Sequence, residues 1–154
     1  GCLGSLLALF QPAPASEPAP PFRAKRYLLT KAERSFLGVL DQVVGNRYRV
    51  LAQVNFKDLL VLEKGLDPST RQTWLNQVDR KHIDFVLCDP DTIEPRVLIE
   101  LDDQSHRKNR TERSTKNDAV KDRVCAAAGL RLVRVPAMRT YHVEMIRGLI
   151  ADDV

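Results

Sequence analysis

The stretch that most limits the fold is Lys81 to Asp102, two apolar runs joined by a short turn. Ile83, Phe85 and Leu87 alternate with Asp84, Val86 and Cys88, and β-branched and aromatic residues at period two specify a strand. Pro90 and Pro95 bracket a turn, since neither ring nitrogen can donate to a ladder. Arg96 to Asp102 is then a second strand, and the pair forms a hairpin. Glu100 and Asp102 stand two apart, so one face carries both carboxylates, and Asp84 shares that face if the register permits. Acids gathered on a half-buried sheet repel one another, and a bound divalent cation is the usual remedy. The bland alternative for Asp84 and Asp102 is a pair of solvated strand-end acids. It is weaker for Glu100, which lies between Ile99 and Leu101 and needs a partner once buried.

The flanking elements follow from periodicity. Thr30 with Glu33 three residues on makes a capping box, and Phe36, Leu37, Leu40, Val43 and Val44 recur at helical spacing up to Gly45-Asn46. Tyr48 to Val54 alternates as a strand. Phe56 to Lys64 and Ser69 to Asn76 are expected as short helices around the Gly65 to Pro68 break. A helix is expected from about Thr111 to Ala128, with Gly129 at its C-cap position. On it Asp118, Lys121 and Asp122 are three or four apart and share neighbouring faces. Leu130 to Val135 is a last strand ended by Pro136, and Thr140 to Ile150 is an amphipathic closing helix. The class is α/β, in two or three layers.

Five features occur in a fixed order: the Asp84-Phe85 strand, the Ile-Glu-Leu-Asp strand of residues 99 to 102, His106, Asp-x-x-Lys-Asp at Asp118 to Asp122, and Ala-Gly-Leu-x-x-x-Arg ending at Arg134. In these, over about Tyr27 to Pro136, the chain resembles the PD-(D/E)XK nuclease superfamily, in the branch of the very-short-patch-repair endonucleases. It is most similar to domain of unknown function family 2726. The resemblance implies a restriction-endonuclease-like core, helix-strand-strand-strand-helix-strand, with a mixed four-stranded sheet flanked by helices. It also implies hydrolysis of DNA phosphodiester bonds with Mg²⁺ or Mn²⁺. Such a cation prefers oxygen ligands, keeps several waters and acidifies one of them. Asp84 and Glu100 would bind it, with the Leu101 carbonyl a third ligand. His106 would be general base or proton shuttle, its ordinary pKa being close to the working pH; its bland reading is a surface histidine. The chain departs from the superfamily at Asp102, where a Lys is expected. Charge stabilisation would then fall to another cation, Lys81, Lys121 or Arg123, with Lys121 the first choice. In the superfamily an acid on the first helix often faces the metal, so Glu33 has that reading beside its role as a cap.

A net charge of +4 and a pI near 9.1 permit a polyanionic partner without demanding one. Arg107, Lys108, Arg110, Arg113 and Lys116 form a basic stretch beside the proposed site, suited to phosphates, though interleaved acids also fit a solvated helix face. Three widely spaced cysteines with no Cys-x-x-Cys pair argue against a structural zinc or a disulfide framework. Cys88 and Cys125 are expected to be buried thiols, and Trp74 a core or lid anchor rather than a base-stacking ring. Residues 1–26 form an apolar start and an Ala/Pro-rich linker, either a disordered tail or the remnant of a membrane anchor, and 27–154 the α/β domain. Arg23, Lys25 and Arg26 after the apolar stretch favour a cytoplasmic domain, held in that case at the inner face of the cell membrane. Three functions therefore compete. The first is a metal-dependent nuclease. The second is a lapsed nuclease fold that binds nucleic acid, and the third a membrane-tethered protein-interaction module.

Overall fold

A computed structural model describes residues 19–102 and 112–150, with the side chains of 112–115 left aside. The chain runs α1 (Lys31–Val44), β1 (Arg49–Asn55), α2 (Pro68–Val78), β2 (His82–Cys88), β3 (Pro95–Asp102), α3 (Glu112–Ala128), β4 (Arg131–Pro136) and α4 (Val143–Ile150). The four strands make one sheet in chain order, β1-β2-β3-β4. Its first two pairings are antiparallel and the last is parallel, so the sheet is mixed. A parallel neighbour needs a crossover, and α3 supplies it between β3 and β4.

The β2–β3 turn is held by its own polar groups. Asp89 Oδ1 accepts from the Asp91 and Thr92 backbone N–H groups at 3.1 and 2.9 Å and from Thr92 Oγ1 at 3.0 Å. The capping box of α1 forms as its spacing predicts, with Thr30 Oγ1 accepting from Glu33 N at 3.3 Å and Glu33 Oε2 accepting from Thr30 N at 2.6 Å. Gly129 closes α3 at φ +69°, a conformation that a residue without Cβ adopts freely.

Because β2 and β3 are apolar on both faces, the sheet has to be covered on both, and the fold has three layers. Phe36, Leu40, Val43 and Val44 of α1 and Ile146 and Ile150 of α4 pack on Phe85, Leu87, Val97 and Ile99. Val78 of α2 and Cys125 of α3 pack with Phe56, Val86, Cys88 and Leu98 on the other side. Ile83 joins this second group, not the Phe85 face that alternation assigns to it. A further difference concerns 56 to 64. The expected helix is only a single 3₁₀ turn, Phe56–Leu59, capped by the Asn55 side chain, and 60–66 follow without helix. Phe56 is the fully buried anchor there, Leu59 and Leu60 pack half-buried beside it, and beyond them Val61 is exposed. Cys88 and Cys125 are buried thiols as expected, and burial pushes the Cys125 thiol up to about 11.

Residues 19–28 are exposed coil, with Phe22 86% exposed, while 1–18 lie outside the described residues. Among the described residues no helix is long and apolar enough to cross a membrane.

Candidate active site

The hairpin register pairs Phe85 with Ile99, and one step further brings Asp84 alongside Glu100. On the other side of β3 the parallel register sets Glu100 beside Arg134 of β4. Glu100 is the one buried charged residue among those described, 8% exposed, and a buried charge is tolerated only with a partner. Its partner comes from the crossover helix. Lys121 Nζ lies 2.7 Å from each Glu100 oxygen and donates as well to the His82 carbonyl at 2.7 Å. All three ammonium donors are therefore used.

Asp84 is held differently. Its Oδ2 accepts from the Leu101 backbone N–H at 2.8 Å, and its Oδ1 lies 3.5 Å from Gln53 Nε2. The same Gln53 amide donates to Glu33 Oε1 at 3.0 Å, so a single side chain links α1, β1 and β2. Glu33 is the capping residue its position predicts, and its second oxygen is bonded to Gln53. Gln53 holds φ +54° inside a strand, a left-handed conformation that a residue with a Cβ rarely adopts and that collects at functional sites.

Burial raises the Asp84 carboxyl above the ordinary range, and the charge of Glu33 adds to this, against the Leu101 N–H, Lys121 and Gln53. Burial likewise raises Glu100, opposed by Lys121 and reinforced by Asp84. With all three acids ionised, Asp84, Glu100 and Glu33 carry three negative charges against the single positive charge of Lys121. Arg134 offsets this only in part, since besides favouring ionised Glu100 it is engaged by Asp122 at 2.8 Å and by the Asp118 carboxylate at 3.7 Å. Burial opposes the charge of Arg134, yet Asp122, Asp118 and Glu100 together keep the guanidinium more basic than usual.

The donor set suits a hard divalent cation in kind, being carboxylate oxygen with a surplus of negative charge. Among the described residues no group of three or more His, Cys, Asp or Glu converges on a metal position, so Asp84 and Glu100 form a two-carboxylate site at most. Mg²⁺ accepts such a site because it retains water as its other ligands.

The remaining sequence candidates divide by position. Asp102 ends β3, half-buried, opposite Pro136, and its carbonyl accepts from Ala137 N at 2.9 Å. His106, Arg107, Lys108 and Arg110 lie outside the described residues. Arg113 is on the first turn of α3, and Lys116 is exposed one turn later. Lys81 precedes β2, and Arg123 turns to Gln77 and Trp74, away from the carboxylates. Two contributors were hidden in the sequence. Gln53 reads there as an ordinary alternating strand residue, and its left-handed backbone leaves no mark in composition. Arg134 was visible only as the last letter of the Ala-Gly-Leu-x-x-x-Arg run.

A family model described as protein of unknown function, DUF2726, matches residues 25–153. No curated protein and no solved structure matches the chain.

Proposed function

Since the chain belongs to the DUF2726 family of proteins of unknown function, its chemistry has to be argued from its own site, and we propose a metal-dependent nuclease that hydrolyses DNA phosphodiester bonds. One observation carries this reading. Two acids, both raised by burial, meet on adjacent strands where a hydrophobic pair would stabilise the sheet better. The element order α1-β1-β2-β3-α3-β4 supports assigning the restriction-endonuclease-like core, with α2 inserted between its first two strands.

On this reading Asp84 and Glu100 hold Mg²⁺ or Mn²⁺, which when bound supplies Lewis acidity and a more acidic water. Lys121 stays beside Glu100 and neutralises charge that develops on the phosphoryl oxygens, in place of the Lys that Asp102 replaces. His106 takes the proton from the attacking water as the phosphorus–oxygen bond to the leaving sugar oxygen breaks. Gln53 and Glu33 orient Asp84. Arg107, Lys108, Arg110, Arg113 and Lys116 contact phosphates, which positions the duplex without reading its sequence. The apolar start and the Ala/Pro-rich linker before the domain would tether it to the inner face of the cell membrane.

The test is cleavage of plasmid and oligonucleotide DNA with Mg²⁺ or Mn²⁺. Asp84→Asn and Glu100→Gln should abolish it. Lys121→Ala should lower it by about 10²–10³-fold, the scale for one preorganised charge donor. A second reading, a lapsed nuclease fold that only binds nucleic acid, is favoured by Asp102 and by the two-oxygen grip of Lys121 on Glu100. Salt-sensitive DNA binding with no cleavage under either metal would establish it instead.

A further inference from the structure

Between α2, α3 and the 60–66 segment lies a half-open cavity of about 630 Å³ that shares no residue with the carboxylate site. Its size is that of a small-molecule site. The wall is aliphatic, with Leu60, Leu62, Leu75, Val78 and Val124 around the face of Trp74. Val61, 98% exposed, and Leu66 leave more apolar surface at the mouth. Lys57, Arg71 and Arg123 also line it, against a single acid, Glu63. Among the described residues no carboxylate forms an ion pair with any of these three cations. Arg123 lies over the Trp74 ring, 5.0 Å from its centroid, and among the described residues its polar side-chain partner is the neutral Gln77 amide at 2.9 Å.

An aliphatic interior under three cations that outnumber a single lining acid is complementary to a molecule with an apolar body and one negative end. We propose that this cavity binds an amphiphilic anion, a single alkyl chain ending in a carboxylate. The chain lies against Leu75, Val78 and Val124, and the head meets Arg71 and Arg123 at the mouth. A stacked nucleobase fits less well, because Arg123 already covers one face of the only Trp and the other walls are aliphatic.

Trp74, the sole Trp, reports on the site directly. The whole chain would be titrated with octanoate, decanoate and dodecanoate below their micelle concentrations, followed by Trp fluorescence. The expected result is a saturable signal with one site per chain. Affinity should rise roughly three- to fourfold for each added methylene and level off once the cavity is full. Dodecyltrimethylammonium should bind at least about tenfold more weakly, as should dodecanoate to an Arg71→Gln, Arg123→Gln double variant, the scale of a lost ion pair in a partly dry site. Ala127→Phe, which fills the cavity from an exposed helical position, should abolish binding with the far-UV dichroism unchanged. A non-saturating response, equal affinity for the cationic and anionic amphiphiles, or full binding by Ala127→Phe would overturn the proposal. So would single-stranded oligonucleotide that quenches Trp74 at lower concentration than any carboxylate, which would make the cavity a nucleic-acid site.

Discussion

Replacing Lys121 by Met removes the counter-charge of Glu100 and leaves its volume nearly filled. Both side chains are close to dry, 12% exposed for Lys121 and 10% for Glu100. Three hydrogen bonds of 2.7 Å are lost together, two to the carboxylate and one to the His82 carbonyl. Breaking a buried pair from one side costs about 3–5 kcal/mol, because the remaining ion stays buried without its partner. The lower end applies here, about 3 kcal/mol, since neither side chain is fully buried and the residual exposure lets water reach the freed oxygens. For a chain of this size that is a fall of roughly 10 °C in melting temperature. The loss should depend on pH with a definite sign. Glu100 is already raised by burial and rises further without Lys121, so its ionised form opposes folding above that raised value. Lowering the pH from 7 through the raised Glu100 value towards the ordinary carboxylate range protonates it and returns part of the stability. Thermal unfolding followed by circular dichroism across this range measures it. A Lys121→Met, Glu100→Leu double variant should recover most of the loss, because neither charge remains. Mn²⁺ should raise the melting temperature of Lys121→Met more than that of the parent, having a vacated carboxylate to bind. A loss below about 1 kcal/mol, or additive single and double effects, would refute the claim that this pair is a coupled, desolvated unit.

Three other outcomes follow from the same geometry. Asp84→Asn should be at least as stable as the parent at pH 7 while losing cleavage, because Asn still accepts from the Leu101 N–H without burying a charge. Since the Asp84 carboxyl is raised on folding, that advantage should vanish as the pH falls below the unfolded value near 4, which urea unfolding at pH 7 and pH 4 would reveal. Gln53→Gly should be more stable than Gln53→Ala by about 1 kcal/mol, since both lose the amide bridge and only Ala keeps the cost of φ +54°. Cys125 should react with a thiol reagent at pH 8 only on unfolding, given a thiol pushed up to about 11 and full burial, and rapid reaction of the native chain would count against that placement.

How much of this was legible in the sequence depended on the scale of the cause. The hairpin was visible, because period-two alternation and bracketing prolines act over a few residues, whereas its register, left open by the sequence, is set by the pairing of Phe85 with Ile99. Lys121 was singled out through the Asp-x-x-Lys-Asp run, and the structure sets it against Glu100. The three-layer arrangement was less visible, since nothing in the α2 sequence tells which sheet face its single buried residue, Val78, will cover. Residues 60–64 of the expected Phe56–Lys64 helix are not helical, because leucines and valines at near-helical spacing are also what a cavity wall needs. The link from Gln53 to Glu33 and Asp84 joins residues 20 and 31 positions apart, a distance over which one sequence carries no signal.

The agreement of strand order with chain order carries a consequence for how the molecule is made. Each strand leaving the ribosome finds its neighbour at the edge that was completed just before it. Asp84 and Glu100 therefore come together when β3 joins β2, while Lys121, 21 residues further along, has yet to emerge from the ribosome. At that moment two carboxylates face each other with no countercharge, and protonation or a passing cation is what relieves them. Arrival of α3 then closes the parallel β3–β4 pairing and gives Glu100 its counter-charge in one movement. The same ammonium that sits in the site is in this way the latch for the last third of the chain.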